Sequence, residues 1–190
     1  MVSRAESAAA TRRALLDSAT ALLDEGGPDA VTLRDVGARA GVSRGAPYGH
    51  FADKETLLSA IATEGWERLS DEIAAQTGSP SKRLRGALAA LVEVGRRHPH
   101  RYRQMFGPPA GEEPERVIDA SCRAQEEFLA IVSELVDEPD LHRFGGLLFT
   151  GVSGIIAAEL SGHFATGKWQ TSADELVDTL VTLVASGNRS

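Results

Sequence analysis

Three observations in this 190-residue sequence predict an all-α fold. Apolar residues recur three and four positions apart through most of the chain, the spacing that lines one face of a helix. Ala and Leu, both strong helix formers, dominate the apolar residues, whereas aromatics make up only 5% and strand formers are concentrated nowhere. Nothing alternates with period two over a useful length, and no internal repeat is visible. Gly and Pro breaks cut the periodic stretches into about nine helices.

Residues 1 to about 10 are small and polar and read as a frayed arm. From Thr11 the positions Leu15, Leu16, Ala19, Leu22 and Leu23 describe one helix, stopped by Gly26-Gly27-Pro28. Thr32 then precedes Leu33, Val36 and Ala40 on one face, with Asp35 suited to the positive end of the helix dipole. Gly41 ends this short helix, and a third is predicted over about Arg44 to Phe51. Pro47 requires that helix to begin at Ser43 or Arg44, because proline is tolerated only in a first turn. Asp53 is the expected cap of a longer helix whose apolar face is Leu57, Leu58, Ile61, Trp66, Leu69 and Ile73, closing near Gly78-Ser79-Pro80. Further helices are predicted at about 81–98, 100–106, 113–137, 140–163 and 172–187.

Thr32 to Leu58, TLRDVGARAGVSRGAPYGHFADKETLL, carries the functional signal. Two short helices joined by a tight Gly41-Val42-Ser43 turn form a helix-turn-helix, in which the second helix enters the DNA major groove. Small residues, Ala38 and Ala40, let the helices approach; Val42 plugs the space between them, and Ser43 is placed to cap the second. The net charge of -7 argues against non-specific coating of nucleic acid. Residues 1 to 55 nevertheless carry seven Lys/Arg against eight Asp/Glu, so most of the acidity lies elsewhere.

At fixed spacing, Thr32, Val36, Ala40-Gly41-Val42-Ser43, Gly45-Ala46, Tyr48, His50-Phe51, Asp53-Lys54-Glu55 and Leu57-Leu58 resemble the DNA-binding domain of the TetR family. The resemblance implies a helix-turn-helix domain over 1–55, a connecting helix over 56–79, and a C-terminal ligand-binding and dimerisation bundle over 80–190. It implies a groove-facing surface of Arg44, Gly45, Ala46, Tyr48 and His50, with Ser43 at its start. Arg44 is the expected base reader, since Arg bonds guanine bidentately, and Ala46 suits a thymine methyl. Thr32, Arg34, Tyr48 and Lys54 would hold phosphates, which sets position more than sequence. Two features depart from the family pattern. Gly37 stands where Ala is usual, worth about 1 kcal/mol of helix stability, and Pro47 and Gly49 occupy positions that are often bulkier.

Residues 88–107 and 151–164 also resemble segments of family C-terminal domains. The resemblance implies a homodimer through the last two helices, reading a near-palindromic operator in double-stranded DNA, and a small-molecule effector. Gly145, Gly146, Gly151, Ser153, Gly154 and Ala157 suit close approach in such an interface, although packing within one chain explains them equally well. Candidate effector contacts are Tyr102, Met105, Phe106, Phe128, Phe149 and Trp169, although aromatic and Met residues at helical spacing more often form core than line a pocket. The run Arg96-Arg97-His98-Pro99-His100-Arg101 suggests an anionic ligand or a metal, but cations before Pro99 are already explained by a helix C-terminus.

The single cysteine, Cys122, excludes an internal disulfide and reads as a small buried hydrophobe in a reducing cytoplasm. The N-terminus has no apolar signal core, and the uncharged run Phe144–Ala158 is too short and glycine-rich for a bilayer, so it reads as a buried helix and no membrane partner is expected. A bundle enzyme is the competing reading. The sequence offers it no P-loop, nucleophile elbow, H-E-x-x-H or di-iron carboxylate–histidine set, and no cofactor or metal is expected. A helical adaptor that keeps the fold without operator binding is the other alternative, for which Gly37 and Gly49 are the grounds.

Overall fold

A computed structural model describes residues 3–165 and 167–187. The chain begins its first helix, α1 (Arg4–Gly26), seven residues earlier than the periodicity from Thr11 indicates. The reason is a capping box: Glu6 N donates to Ser3 Oγ at 3.1 Å while Ser3 N donates to Glu6 Oε2 at 2.7 Å. Of the residues read as a frayed arm, 4–10 are therefore about two exposed, Ala-rich turns, helical through the cap and not through burial, and 1–2 lie outside the described residues. After α1 come α2 (Leu33–Arg39), α3 (Lys54–Ala74), α4 (Pro80–Arg97), α5 (Pro99–Met105), α6 (Pro114–Val132), α7 (Leu141–Leu160) and α8 (Ala173–Gly187). The described residues thus hold eight α-helices and no strand. The ninth expected helix, Arg44–Phe51, is the one that does not form.

The chain divides into two compact units, Met1–Trp66 with His100–Asp119, and Glu67–Pro99 with Ala120–Ser190. In the first, α1 and α2 bury Leu15, Leu16, Leu23, Leu33 and Val36 with Phe51, Leu57 and Ile61 in one core. Thr32 caps α2 by accepting from Asp35 N at 3.1 Å, and Asp53 caps α3 by accepting from Thr56 N at 2.7 Å. A loop docks on α3: Ser59 Oγ donates to Ala110 O at 2.6 Å, and Glu112 N donates to Thr56 Oγ1 at 3.1 Å.

In the second unit α4, α7 and α8 pack against one another, burying Leu84, Leu88, Leu91, Leu148, Val152, Ile156, Val177 and Val181. The reading of Phe144–Ala158 as a buried helix needs correction. Glu138–Leu160 is long and apolar enough to cross a membrane by length and composition, yet only 22% of its most apolar window is buried. One stripe of α7 (Gly145, Leu148, Val152, Ile155, Ile156) faces inward, while Leu147 and Phe149 are exposed at 56% and 40%. Cys122 is also exposed. The inward stripe of α6 is Val117, Ala120, Ala124, Phe128 and Ile131, and a residue two positions from Ala120 falls on the opposite side of a helix.

The glycines of α7 separate into two kinds. A Cβ on Gly145 would lie 2.5 Å from Leu129 Cδ2, and one on Gly151 would lie 3.2 Å from Leu180 Cδ1, so packing within the chain accounts for both. At Gly146 and Gly154 a Cβ would meet nothing within 4 Å. Their smallness serves no contact among the described residues.

Candidate nucleic-acid interface

The turn after α2 is built outward from the core. Gly41 takes φ 69°, a conformation that costs glycine little and other residues more. Val42 N then donates to Gly37 O at 3.2 Å, which brings the half-buried Val42 onto the core. The α-helix expected over Arg44–Phe51 is replaced by a turn at Arg44–Ala46 and a single 3₁₀ turn, Pro47–Gly49. Proline supplies the physical reason. An α-helix here would need Pro47 to donate to the Ser43 carbonyl, and Pro47 has no N–H. That carbonyl accepts from Ala46 N at 3.0 Å instead, followed by Gly49 N to Ala46 O and His50 N to Pro47 O, both at 3.1 Å. The spacing of these bonds is that of a 3₁₀ helix. No side chain caps the 3₁₀ turn, so Ser43 contributes its backbone carbonyl and not the cap expected of its hydroxyl.

The contact between α2 and this turn rests on Gly37. Ala38, expected to provide close approach, is exposed. Gly37 is buried against the ring of Pro47, where a Cβ would lie 2.7 Å from Pro47 Cγ and 3.4 Å from its Cδ. The two departures from the family pattern are therefore one feature. Either was visible in the sequence alone, but only the fold brings them together. Phe51, 2% exposed, closes the back of the turn, and the Arg12 guanidinium lies 5.1 Å from its ring centroid.

The outer side of this scaffold carries the candidate DNA contacts. Thr32, Arg34, Ser43, Arg44, Gly45 and Tyr48 are exposed, while Ala46, His50 and Lys54 are partly buried. Tyr48 is an aromatic left 60% open to solvent. Among the described residues, Arg34, Arg44 and Lys54 enter no ion pair. Arg39, by contrast, makes a bidentate bond to Glu25 at 2.7 and 2.6 Å, which holds the Glu25 carboxyl below its usual range. The Thr32 hydroxyl is similarly committed, donating to Asp35 Oδ2 at 2.6 Å while it caps α2.

The six candidate effector contacts are distributed between the two units. Tyr102, Met105 and Phe106 gather in the first, around Trp66. The Trp66 and Phe106 rings are 4.8 Å apart, Tyr102 and Phe106 4.5 Å, and Trp66 Nε1 donates to Met105 O at 3.0 Å. Phe128 is buried in the second unit, and Phe149 and Trp169 are exposed. The basic run 96–101 is accounted for within the chain. Arg96 pairs with Glu159 at 2.8 Å and Arg97 pairs with Glu93, while Arg101 bonds Asp24 through two nitrogens, both at 2.8 Å. The His100 ring covers Gly27, where a Cβ would lie 2.9 Å from its Nδ1.

A short capped helix, a glycine turn and an outward basic and aromatic turn, followed by a second helical unit, define the class of N-terminal helix-turn-helix proteins with a helical C-terminal domain. Two family profiles match, bacterial regulatory proteins of the tetR family over residues 15–61 and the tetracyclin repressor-like C-terminal domain over residues 84–184. The chain belongs to the TetR family.

Among its relatives, the HTH-type transcriptional repressor KstR of Mycolicibacterium smegmatis is 33% identical over 91 residues, 46% of this chain and 45% of that protein. The HTH-type transcriptional regulator BetI of Paraburkholderia phymatum is 31% identical over 137 residues, 70% of this chain and 58% of that protein. The chain thus matches less than two thirds of the length of these curated relatives. A protein of unknown function from Rhodococcus sp. RHA1 shares the fold with a TM-score of 0.80 and 25% identity, covering 95% of this chain and 96% of its own. The regulator FadR of Bacillus subtilis, solved with stearoyl-CoA, has a TM-score of 0.68 at 14% identity, covering 92% and 98%, and shares the fold.

Proposed function

We propose that this protein is a sequence-specific transcriptional regulator, a repressor that binds a near-palindromic operator as a homodimer and releases it on binding a small molecule. One observation carries the reading. The turn Ser43–Gly49 presents Arg44 and Tyr48 to solvent from a buried seat of Gly37, Pro47 and Phe51, with Arg44 in no ion pair among the described residues. An unpaired guanidinium on a rigidly backed surface is suited to bidentate bonding with guanine. Arg34 and Lys54, on α2 and α3, then serve as phosphate anchors on either side. The relatives named as HTH-type repressors support repression as the mode of action.

In this reading residues 1–55 engage DNA, 56–79 connect, and 80–190 dimerise and respond to the effector. The exposed Leu147, Phe149 and Leu183, with the open glycines Gly146 and Gly154, support α7 and α8 as the dimer surface. Tyr102, Met105 and Phe106 are the effector candidates that lie together. Such a protein works in the cytoplasm, beside the DNA it reads.

Selection of bound sequences from a random duplex pool at physiological salt tests the proposal. Enrichment of a near-palindrome is expected; no enrichment, at lowered salt as well, would refute it in favour of an adaptor or bundle enzyme.

A further inference from the structure

We propose that Gly37 and Pro47 are a positioning pair: the Pro47 ring resting on the bare Cα of Gly37 sets the reading turn, and operator discrimination depends on that seat. The inference rests on the DNA-reading function proposed above. The turn has little else to define it. Its backbone bonds are short-range, no side chain caps it, and a Cβ at Gly45 or Gly49 would meet nothing within 4 Å. Neither of those glycines takes a positive φ, so nothing in the fold demands glycine at either position. What ties the turn to the protein is Pro47, buried against α2, whose carbonyl accepts from His50 N at 3.1 Å and from the core residue Phe51 at 2.9 Å.

The consequence of losing the seat follows from the distances. A methyl at position 37 would meet Pro47 Cγ at 2.7 Å, where ordinary contact begins at 3.4 Å. Leu33 and Val36 hold α2 in the core, 8% and 0% exposed, so the turn yields and not the helix. The ring must retreat by roughly 0.7 Å or more, which exceeds the spread of useful hydrogen-bond lengths. Arg44 and Tyr48 flank Pro47 and move with it. Arg34 and Lys54 belong to α2 and α3, Thr32 caps α2, and all three stay in place, so phosphate anchoring survives apart from Tyr48 while base reading fails.

The test is fluorescence anisotropy with the selected operator and a scrambled duplex, using the full chain, Gly37→Ala, Pro47→Ala and the double variant, each also melted by circular dichroism. For Gly37→Ala the operator-to-scrambled affinity ratio should fall by about tenfold or more, the cost of at least one lost base contact, with scrambled binding within about twofold of the parent. Removing Cγ and Cδ makes room for the methyl, so the double variant should recover part of the lost ratio. It should stay short of the parent's because Pro47→Ala regains the N–H whose absence holds the turn out of an α-helix. A Gly37→Ala ratio equal to the parent's, or a double variant no better than Gly37→Ala, would overturn the proposal. If Gly37→Ala does not fold, Pro47→Ala decides, since an unchanged ratio there refutes the seat. A parent protein that does not discriminate at all would instead refute the functional reading.

Discussion

Arg44 and Lys54 are expected to fail in different ways when removed, and the structure sets the size of each failure. Arg44 is exposed and unpaired among the described residues, so Arg44→Ala should leave stability within about 0.5 kcal/mol of the parent. A lost bidentate base contact costs about 1–3 kcal/mol, and a symmetric dimer loses two, so operator affinity should fall by about 2–6 kcal/mol with scrambled binding barely changed. Lys54 stands at the first turn of α3, outside the reading turn. In the proposed function Lys54→Ala loses one phosphate contact per subunit, which should reduce the slope of log affinity against log salt by about 1.8 for the dimer. Between 50 and 200 mM salt, the parent should lose roughly tenfold more affinity than Lys54→Ala on any duplex. Anisotropy titrations on both duplexes at four salt concentrations measure all of these quantities. Two variants with the same discrimination and the same salt slope would refute the division into reader and anchor.

Three further outcomes follow from local geometry. Gly111 has φ 83° and its Cβ would lie 2.6 Å from Thr56 N, so Gly111→Ala should cost about 2–4 kcal/mol in urea denaturation through backbone strain and lost loop docking. Leu147→Glu, at a position 56% exposed, should leave the helical spectrum unchanged while sedimentation shifts from dimer to monomer. The bond from Thr56 holds the Asp53 carboxyl below its usual value of 3.8. The stability it contributes is complete above that value and is lost as pH falls through the lower folded-state value, so the melting-temperature gap between the parent and Asp53→Ala should close in acid.

Legibility in the sequence followed the kind of interaction. The apolar faces of α2 and α3 were readable because burial imposes a 3.6-residue period; Leu33, Val36, Leu57 and Ile61 are all in the core. The caps at Thr32 and Asp53 were readable because they are local. The helical start at Ser3 was not, since the capping box lies among Ala and Ser residues with no apolar stripe to announce it. For Arg44–Phe51, spacing suggested a helix, but one missing N–H at Pro47 outweighed it. Among the site candidates, exposure could not be read from residue type. Phe149 and Trp169 lie open while Tyr102 and Met105 are packed inside, and within the basic run Arg96 and Arg101 pair with carboxylates distant in sequence, Glu159 and Asp24.

The arrangement separates two properties that a DNA-reading surface must balance. The core of α1, α2 and α3 is made of fully buried Leu and Val side chains, and it fixes where Arg34 and Lys54 stand. The reading turn adds little to that core beyond Pro47 and Phe51, and residues 43–45, 48 and 49 are exposed, so changes there open no buried cavity. In the proposed function, affinity for the phosphate backbone and preference for a base sequence therefore rest on different parts of the fold. On the function proposed above, a substitution at Arg44 alters what is read, one at Lys54 alters how tightly any duplex is held, and one at Gly37 alters whether the reading surface keeps its register. In that reading, the turn can be re-aimed at a different operator while the core that holds it stays as it is.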